Sequence, residues 1–542
     1  MIRINVVLDK RSSWLWTSWG FALALLLMLL LLSACGTRET ASPMARYYPA
    51  MKPEFQAQLD TLDTLPRYDI TVTLNAISET LVGQQHVHVV NTSPDPWRAV
   101  VFRLYPMLPQ YSGGLQNVMV IHSAAINGKT INISYLADNT AIELLLPEVL
   151  RPNEAVEVDL RWIINIPVWS DQSGIYALFG KSQQMITLPL FYPALAVYQP
   201  LQGVQAGTWW QETGTARGDS AFNVTSLFVV TATMPADLAP VTSGTLITST
   251  FVEDQQARHV WVTGPSREFL LHVSSQFRSA HLDAYGTRVT SYWLPGQEAM
   301  GRATLNYTIA ALRIYSDLFG AYPFRDLRVA PAPLNYRGME YPQVSLLGVE
   351  LYDRYRNTLE ILVAHEVAHQ WWYQLVHNDP VNEPWLDEAL AEYSVKLYLE
   401  ELHGGEDANE LQAQRWQTTI NSIKSQGGDR PVNQSVGDFA SDPQYEGIVY
   451  GKGALFYDTL RQALGDRRFN NFLRGYLADH LYQIVTTDDW LDAIHTLNTP
   501  ELEVLYESWV ERPPLLPPPT ATPAPPVAAT PTPIPAAQST NP

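Results

Sequence analysis

The stretch of sequence that decides the fold of this 542-residue chain is Ala364-His365-Glu366-Val367-Ala368-His369-Gln370-Trp371-Trp372. His365 and His369 are four residues apart, so on a helix they lie on one face and can share one ion. Neutral imidazole suits zinc, and a catalytic zinc site keeps three protein ligands and one water. Glu366 stands beside the first histidine, where a general base can take a proton from that water. A solvated polar stripe is the alternative, but the neighbours are apolar, and burying such a group without a purpose is costly.

A third ligand must come from another segment, and the best candidate lies in Trp385-Leu386-Asp387-Glu388-Ala389-Leu390-Ala391-Glu392-Tyr393. Glu388 follows His369 by nineteen residues, and a short loop would let this second helix pack back against the first. Glu392 is four residues further on the same face, where it can hydrogen-bond a ligating histidine from behind. Surface charge is the alternative for each glutamate separately, but together they complete a three-ligand site for one zinc ion.

Around these segments, from about residue 297 onward, apolar residues recur at helical spacing. The pattern predicts helices over 304–319, over 358–376 and from about Pro384 to His403, before Gly404-Gly405. Further helices are expected over roughly 407–425, 452–464, 466–480 and 487–497, and the last ordered element should end near Trp509.

Upstream, from about Tyr68, apolar and polar residues alternate with the period of two that is typical of β-strands. The segment from Ile70 to Leu74 is one of many such short runs, and turn signals such as Asn127-Gly128 separate them. The sequence therefore predicts an α+β multidomain protein, with an N-terminal antiparallel β-sheet domain over 66–275 and an α/β catalytic domain over 276–511.

The composition excludes some classes of protein. Apolar residues make up 46% of the chain and charged residues 16%, which is enough to bury substantial cores. The formal net charge is −19, and the chain contains no long Lys/Arg run, so no nucleic-acid partner is expected. The acidity is interpreted as a contribution to solubility rather than as a binding surface for cationic substrates.

The N-terminus has the layout of a secretory signal: basic residues before position 12, an apolar run over 21–32, and then Leu32-Ser33-Ala34-Cys35. This box resembles the bacterial lipoprotein signal, which implies that 1–35 is a signal peptide and that Cys35, the only cysteine, is lipidated. An uncleaved membrane anchor is the alternative. Either interpretation places the rest of the chain outside the cytoplasm, and the lipoprotein signal implies an extracytoplasmic, membrane-anchored lipoprotein of a bacterium. The sequence further predicts a tether and short helix over 36–65 and a disordered Pro/Thr-rich tail over 512–542.

The two metal-binding segments resemble the gluzincin zinc aminopeptidase family, which includes aminopeptidase N and leukotriene hydrolase. In that family a glutamate follows the histidine motif after eighteen residues, within a Trp-Leu-Asn-Glu-Gly-Phe-Ala-Glu-Tyr type sequence, and Glu388 stands at the matching position. The resemblance implies the zinc ligands His365, His369 and Glu388, the catalytic base Glu366 and the supporting acid Glu392.

Two further motifs carry the resemblance. Arg337-Gly338-Met339-Glu340-Tyr341 is similar to the family's Gly-Ala-Met-Glu-Asn strand, which implies that Gly338, Met339 and Glu340 contact the substrate and that Glu340 binds its free α-amine. The segment that begins at Tyr450 is similar to the one that carries the family's catalytic tyrosine, so Tyr450 is expected to hydrogen-bond the oxyanion. Tyr445 is a weaker candidate for that role.

The chain also departs from the family pattern. The segment that normally supplies a second amine-binding residue is altered, and Gln183 or Gln184 is the candidate that the sequence offers. The Pro/Thr-rich tail begins at Arg512, where many members continue into a helical domain, so one side of the cleft is expected to be more open.

The resemblance implies a thermolysin-like catalytic domain, with the site between the two domains. The favoured function is that of a zinc metallopeptidase acting on peptides as an aminopeptidase. A zinc endopeptidase or broader peptide hydrolase is the alternative, and a catalytically inactive surface binding protein of the same fold is a second alternative.

Overall fold

The computed structural model describes residues 42–169, 179–200, 207–213, 217–335, 337–353 and 355–511. The predicted signal peptide, the lipidation site Cys35 and the tail over 512–542 lie outside these ranges. Among the described residues, no helix is long and apolar enough to cross a membrane.

The N-terminal half is built on an eight-stranded sheet. Its first strand buries Ile70, Val72 and Leu74 and exposes or half-exposes the residues between them, as the alternation predicts. Neighbouring strands are antiparallel, except that Arg67–Asn75 pairs in parallel with Leu227–Pro235. The spatial order of the sheet is Thr245–Phe251, Gln256–Val262, Leu227–Pro235, Arg67–Asn75, Thr80–Val90, Ala155–Asn165, Met119–Ile126 and Lys129–Ile131.

Smaller antiparallel sheets pack with this one around a shared apolar core. One sheet has the order Ala239–Thr242, Leu270–Ser274, Met185–Pro189 and Gly180–Ser182, and another has the order Ala194–Leu195, Trp97–Arg103, Ala141–Leu150 and Ser134–Leu136. A two-stranded ribbon joins Tyr198–Gln199 to Thr208–Trp209.

The C-terminal half begins with a five-stranded mixed sheet that is followed by helices. The order of this sheet is Arg278–Ala284, Thr287–Trp293, Asp326–Ala332, Val344–Gly348 and Gly338–Tyr341. Its α-helices of seven or more residues are Glu298–Leu318, Arg356–Ala368, Trp385–Leu402, Gly405–Leu411, Thr418–Ser425, Gly453–Leu464, Asp466–Asp479, Thr487–His495 and Pro500–Trp509. Short α-helical turns lie at Gln56–Leu59, Pro109–Ser112 and Asp442–Tyr445.

Other helical types fill the connections. The 3-10 turns are Pro43–Ala50, Pro53–Phe55, Tyr105–Met107, Ala137–Asn139, Val349–Tyr352 and Val436–Asp438, and π-helical segments cover Gln412–Gln417 and Glu446–Lys452. The predicted α+β class, with an antiparallel sheet domain before a catalytic part rich in helices, is confirmed. The exact domain boundaries remain predictions.

The helix Arg356–Ala368 carries His365, has His369 as its C-cap and ends eight residues before the predicted end at Val376. After His369 the chain turns sharply, because Tyr373 has φ 144° and the Gln374 N–H donates to the His369 carbonyl at 3.0 Å. The apolar residues after His369 suggested helix, but they are buried in an irregular turn instead.

The expected tether is partly wrong. Residues 43–50 form a 3-10 helix whose Met44, Tyr47 and Ala50 are buried in the core of the catalytic half. The Arg325 N–H donates to the Ala50 carbonyl at 3.0 Å, and the Lys52 N–H donates to the Pro323 carbonyl at 2.9 Å. The described part of this segment is therefore packed against the body of the protein.

Candidate metal centre and active site

Three side chains from two helices meet at one point. His365 lies in the last turn of the helix Arg356–Ala368, His369 is the C-cap of that helix, and Glu388 comes from the first turn of Trp385–Leu402. The Tyr315 hydroxyl ties these helices together, because it lies 3.0 Å from the Ala364 carbonyl of one and 3.2 Å from the Ser394 carbonyl of the other.

The spacing of the three ligand atoms fits one zinc ion. The two Nε2 atoms are 3.2 Å apart, and Glu388 Oε2 lies 3.3 Å from each of them. Three ligands of a tetrahedral zinc with bonds of about 2.0–2.1 Å lie about 3.3–3.4 Å apart. Among the described residues, His365, His369 and Glu388 are the one group of three or more possible ligands placed closely enough to hold an ion.

The surrounding contacts direct lone pairs toward this point. His369 Nδ1 lies 2.8 Å from the Trp372 carbonyl and donates to it, so its Nε2 is left as an acceptor. His365 Nδ1 lies 3.3 Å from Glu392 Oε2, at an ion-pair distance that is not aligned as a hydrogen bond. Two imidazole lone pairs and a carboxylate oxygen converge, and a bound cation resolves their mutual repulsion. The donor set therefore fits the zinc ion that the sequence predicts.

Glu392 is anchored from three sides. Its carboxylate accepts from Trp416 Nε1 at 2.6 Å and from Arg415 Nη2 at 3.1 Å, and it is fully buried. Burial opposes its ionisation, but the Arg415 charge and the contact with His365 hold the pKa of Glu392 at about 2. Glu392 therefore stays ionised behind His365 across the physiological range.

Glu366 lies against the strand Gly338–Tyr341, which the sequence predicts to contact the substrate. The strand Gly338–Tyr341 passes so close that a Cβ at Gly338 would lie 2.1 Å from Glu366 Oε1. Burial is the largest influence on this carboxyl and raises its pKa, and the Glu340 carboxylate adds to the rise. A buried carboxyl with a raised pKa is suited to exchange protons near neutral pH.

Glu340 projects from the same strand and is buried, whereas Met339 is half-buried. Burial raises the pKa of Glu340, the nearby His369 opposes the rise, and the Glu388 carboxylate reinforces it. The structure thus brings Gly338, Met339 and Glu340 to the metal centre, as the sequence predicts.

Tyr450 reaches the centre from the opposite wall. It lies in the π-helical segment Glu446–Lys452, a helical type that is frequent at functional sites. Its hydroxyl donates to Glu388 Oε1 at 2.6 Å, and its ring stacks on His365 with the centroids 5.8 Å apart. Tyr445, the weaker candidate, packs edge-on against the Tyr450 ring.

The centre opens into a cleft of about 880 Å³ that both halves of the protein line. The N-terminal half contributes Gln110, Gly218 and Asp219, and the catalytic half contributes the residues described above. The site therefore lies between the two domains.

Gln183 and Gln184, the candidates for a second amine-binding residue, do not line this cleft. They form the turn between the strands Gly180–Ser182 and Met185–Pro189, with φ of 50° and 63°. The altered segment could not be aligned with the family motif from the sequence, and the structure places both residues in a short hairpin turn outside the cleft lining.

Asp219 is the acidic residue that the N-terminal half brings into the cleft, and sequence reasoning missed it. Its Oδ1 accepts from the backbone N–H groups of Ser220 and Ala221 at 2.6 and 3.1 Å. Asp219 and Glu340 line the same cleft, and burial and then the charge of Glu340 raise the pKa of Asp219 to about 7. Neither periodicity nor a local motif marks this position, because only the crossing of two distant segments places it.

Hydrogen bonds from Arg217 connect the segment that carries Asp219 to the catalytic half on the other side of the cleft. Arg217 Nε donates to Asp442 at 2.6 Å, and Arg217 Nη1 donates to the Phe439 carbonyl at 3.0 Å. These bonds connect the N-terminal half to the loop that precedes Tyr445 and Tyr450.

The β domain, the helical catalytic part and the His-His-Glu centre together place this protein in the class of zinc metallopeptidases. The Peptidase family M1 domain matches residues 303–509, so this part of the chain is similar to that family, and the resemblance to gluzincin aminopeptidases is confirmed. The prediction of one zinc ion agrees with this family. The roles of individual site residues remain predictions.

Curated relatives support the same family. The chain is 26% identical over 240 residues to Aminopeptidase M1-C of Oryza sativa subsp. japonica, covering 42% of this chain and 27% of that protein. It is 26% identical over 216 residues to Leukotriene A-4 hydrolase of Xenopus laevis, covering 38% of this chain and 35% of that protein. The matches thus span about a third or less of the length of these relatives.

Solved structures show the same fold. The M1 zinc metallopeptidase from Deinococcus radiodurans superposes with a TM-score of 0.62 at 21% identity, covering 82% of this chain and 94% of that one. A mutant of that metallopeptidase bound to Tyr-ser-ala gives a TM-score of 0.61 at 20% identity, covering 84% and 95%. The two-domain architecture is therefore shared over nearly the whole length of that protein.

Proposed function

We propose that this protein is a zinc-dependent aminopeptidase that releases N-terminal residues from peptides. The observation that carries the proposal is the convergence of His365, His369 and Glu388 beside two carboxylates in the same cleft, the buried Glu340 and the half-buried Asp219. The first three fit a zinc ion, and the other two offer a site for a protonated amine.

The residues around the zinc site can carry out peptide hydrolysis. Bound zinc would supply a Lewis acid that polarises the scissile carbonyl and lowers the pKa of a water. Glu366 accepts the proton of the attacking water and delivers it to the leaving amine. The Tyr450 hydroxyl, which lies 2.6 Å from Glu388 in the free protein, donates to the oxyanion that develops on the substrate carbonyl.

The choice of the N-terminal peptide bond rests on charge. Glu340 is buried and Asp219 is half-buried, and the charge of Glu340 adds to the rise in the pKa of Asp219. A substrate α-ammonium between them satisfies both carboxylates by charge-assisted hydrogen bonds and holds the first peptide bond at the metal. An internal peptide segment has no such charge and leaves the carboxylates desolvated and unpaired.

The base is tested by Glu366→Gln in the zinc-loaded protein. We expect unchanged zinc content and a loss of peptide hydrolysis of about 10²-fold or more. Glu360→Gln is the matched control, because Glu360 lies on the same helix but accepts from Tyr398 and His403 away from the cleft. Full activity in Glu366→Gln would remove Glu366 as the base, and stoichiometric zinc without turnover of any peptide by the wild type would favour a binding protein.

The exopeptidase assignment is tested with one peptide, free and N-acetylated. We expect the wild type to prefer the free peptide by roughly a hundredfold, and Glu340→Gln and Asp219→Asn each to raise its KM by tenfold or more. Glu446→Gln, at the exposed rim of the cleft, is the control. Equal cleavage of both peptides by the wild type would establish an endopeptidase instead.

We also propose that the protein is a lipoprotein held on the outer face of a bacterial membrane through Cys35. The support is the Leu32-Ser33-Ala34-Cys35 box after an apolar run. Cys35→Ser is expected to leave the precursor unprocessed or release the protein, as read by membrane fractionation and N-terminal mass. Unchanged fractionation and mass would disprove lipidation.

A further inference from the structure

A second polar cluster lies away from the metal centre, where the two halves of the protein meet. Arg267, from the N-terminal half, is 2% exposed, and its Nη2 donates to the Gln483 carbonyl at 2.7 Å. Its Nε and Nη1 have no partner among the described residues. Two of the guanidinium donor atoms are therefore buried without an acceptor, which is costly for a group that keeps its charge.

No carboxylate in the described part of the chain forms an ion pair with this guanidinium. The adjacent Glu268 points elsewhere, since its Oε1 accepts from the Tyr373 hydroxyl at 2.6 Å. The groups that interact electrostatically with Arg267 are the phenols of Tyr373 and Tyr482, which are neutral at ordinary pH. Water can satisfy a donor, but it cannot balance a buried positive charge.

Other donors without partners lie beside Arg267. His377 is fully buried, and neither of its ring nitrogens has a partner among the described residues. The Tyr482 hydroxyl is also buried without a hydrogen-bond partner among the described residues. Tyr482 lies two residues before Ile484, which forms a β-bridge with His377. The backbone fixes this proximity, because the His377 N–H and Arg267 Nη2 both donate to the Gln483 carbonyl.

We propose that Arg267, His377 and Tyr482 form a binding site for a small monovalent anion of halide size. A guanidinium, an imidazole N–H and a phenol supply donors around one uncompensated positive charge, so one negative charge balances the site. The Phe222 ring packs on His377 with the centroids 5.7 Å apart, and such an apolar wall favours a weakly hydrated halide over sulfate or phosphate.

The anion would stabilise the segment that follows the second zinc ligand. His377 is joined to His369 through a turn in which Tyr373 adopts φ 144°, a strained value for a residue with a side chain. The Gln374 side chain accepts from the Arg267 N–H at 3.4 Å and donates to the Pro265 carbonyl at 2.8 Å. Anion binding therefore couples the junction between the domains to the His369 turn.

The test is thermal unfolding of the zinc-loaded full chain in sodium chloride against sodium gluconate at constant ionic strength. We expect a saturable rise in Tm of about 2 °C or more with chloride. Arg267→Gln should lose this dependence, and Tyr482→Phe, which removes one donor, should raise the half-saturating chloride concentration several-fold. Arg328→Gln is the control, because Arg328 is a buried arginine that already pairs with Asp326 at 3.0 Å.

Anomalous diffraction from crystals of the wild-type protein grown in bromide can locate a bound anion directly, without any variant. We expect an anomalous peak within hydrogen-bond distance of Arg267 Nε or Nη1. Any of three results would overturn the proposal: a Tm that is independent of halide, an equal chloride response in Arg267→Gln, or bromide peaks only at other places. A site filled by water rather than by an anion would give these results.

Discussion

Two tyrosines near the metal centre allow a sharp comparison at the scale of single residues. Tyr450 donates to Glu388, whereas Tyr445 packs edge-on against the Tyr450 ring and hydrogen-bonds to Tyr450 rather than to a metal ligand. We expect Tyr450→Phe to lower kcat by about 10²–10³-fold with little change in KM, because the lost donor acts on the transition state. Tyr445→Phe should retain most of the activity. Equal losses in the two variants would show that Tyr450 supports the wall of the cleft rather than the oxyanion.

Gly338 is required by the close approach of its strand to the base. An added methyl group would lie 2.1 Å from Glu366 Oε1, so Gly338→Ala must displace either the strand or the carboxylate. We expect kcat to fall by about a hundredfold while zinc content is kept. Gly475→Ala is the matched control, since nothing lies within 4 Å of its added methyl group. Wild-type kcat in Gly338→Ala would mean that Glu366 is mobile and not held by this strand.

These residues also show what a sequence can reveal of a site. His365, Glu366 and His369 are neighbours in the chain, so helical geometry alone brings them together. Glu340 and Tyr450 were recognised only through short motifs that resemble a family. Asp219 has no such motif, and it becomes visible once the fold carries its segment across the cleft to Asp442.

At the scale of elements, the N-terminal 3-10 helix shows why a packed segment was interpreted as a tether. Its buried residues Met44, Tyr47 and Ala50 recur every three positions, which is the repeat of a 3-10 helix. The repeats that predict α-helices and strands are 3.6 and two residues, so a three-residue stripe in so short a segment matches neither pattern. The long amphipathic helices and the alternating strands were predictable because their repeats extend over many residues.

The packing of this segment can be measured through Met51, which follows it. Met51 is fully buried, and its sulfur lies so close to Gly264 that a Cβ there would be 2.3 Å away. We expect Met51→Ala to reduce the free energy of unfolding by about 2–5 kcal/mol, as read by denaturant unfolding of the zinc-loaded protein. Val504→Ala, at a position that is 66% exposed, should change it by less than about 0.5 kcal/mol. If Met51→Ala reduced the free energy of unfolding by no more than Val504→Ala does, the segment would add little to stability.

At the scale of the whole molecule, His272 connects the two halves and makes their junction sensitive to acid. It lies on a strand of the β domain, where Nδ1 is 3.0 Å from Thr187 Oγ1, and Nε2 donates to the Pro331 carbonyl of the catalytic half at 3.1 Å. His272 is fully buried, and burial lowers its pKa from 6.5 to about 4. The folded protein therefore keeps this histidine neutral under mildly acidic conditions in which the unfolded chain protonates it.

The sign of the pH dependence follows from this difference. Above pH 6.5 the histidine is neutral in both states, and as the pH falls toward 4 only the unfolded chain takes up the proton. We expect wild-type stability to fall by about 1.4 kcal/mol per pH unit, about 3 kcal/mol in all, from this group. His272→Gln keeps a donor for Pro331 but cannot be protonated, so its unfolding free energy should depend less steeply on pH between 6.5 and 4. Zinc-ligand protonation affects both proteins alike, and parallel curves for the two would show that His272 does not control the acid response of the junction.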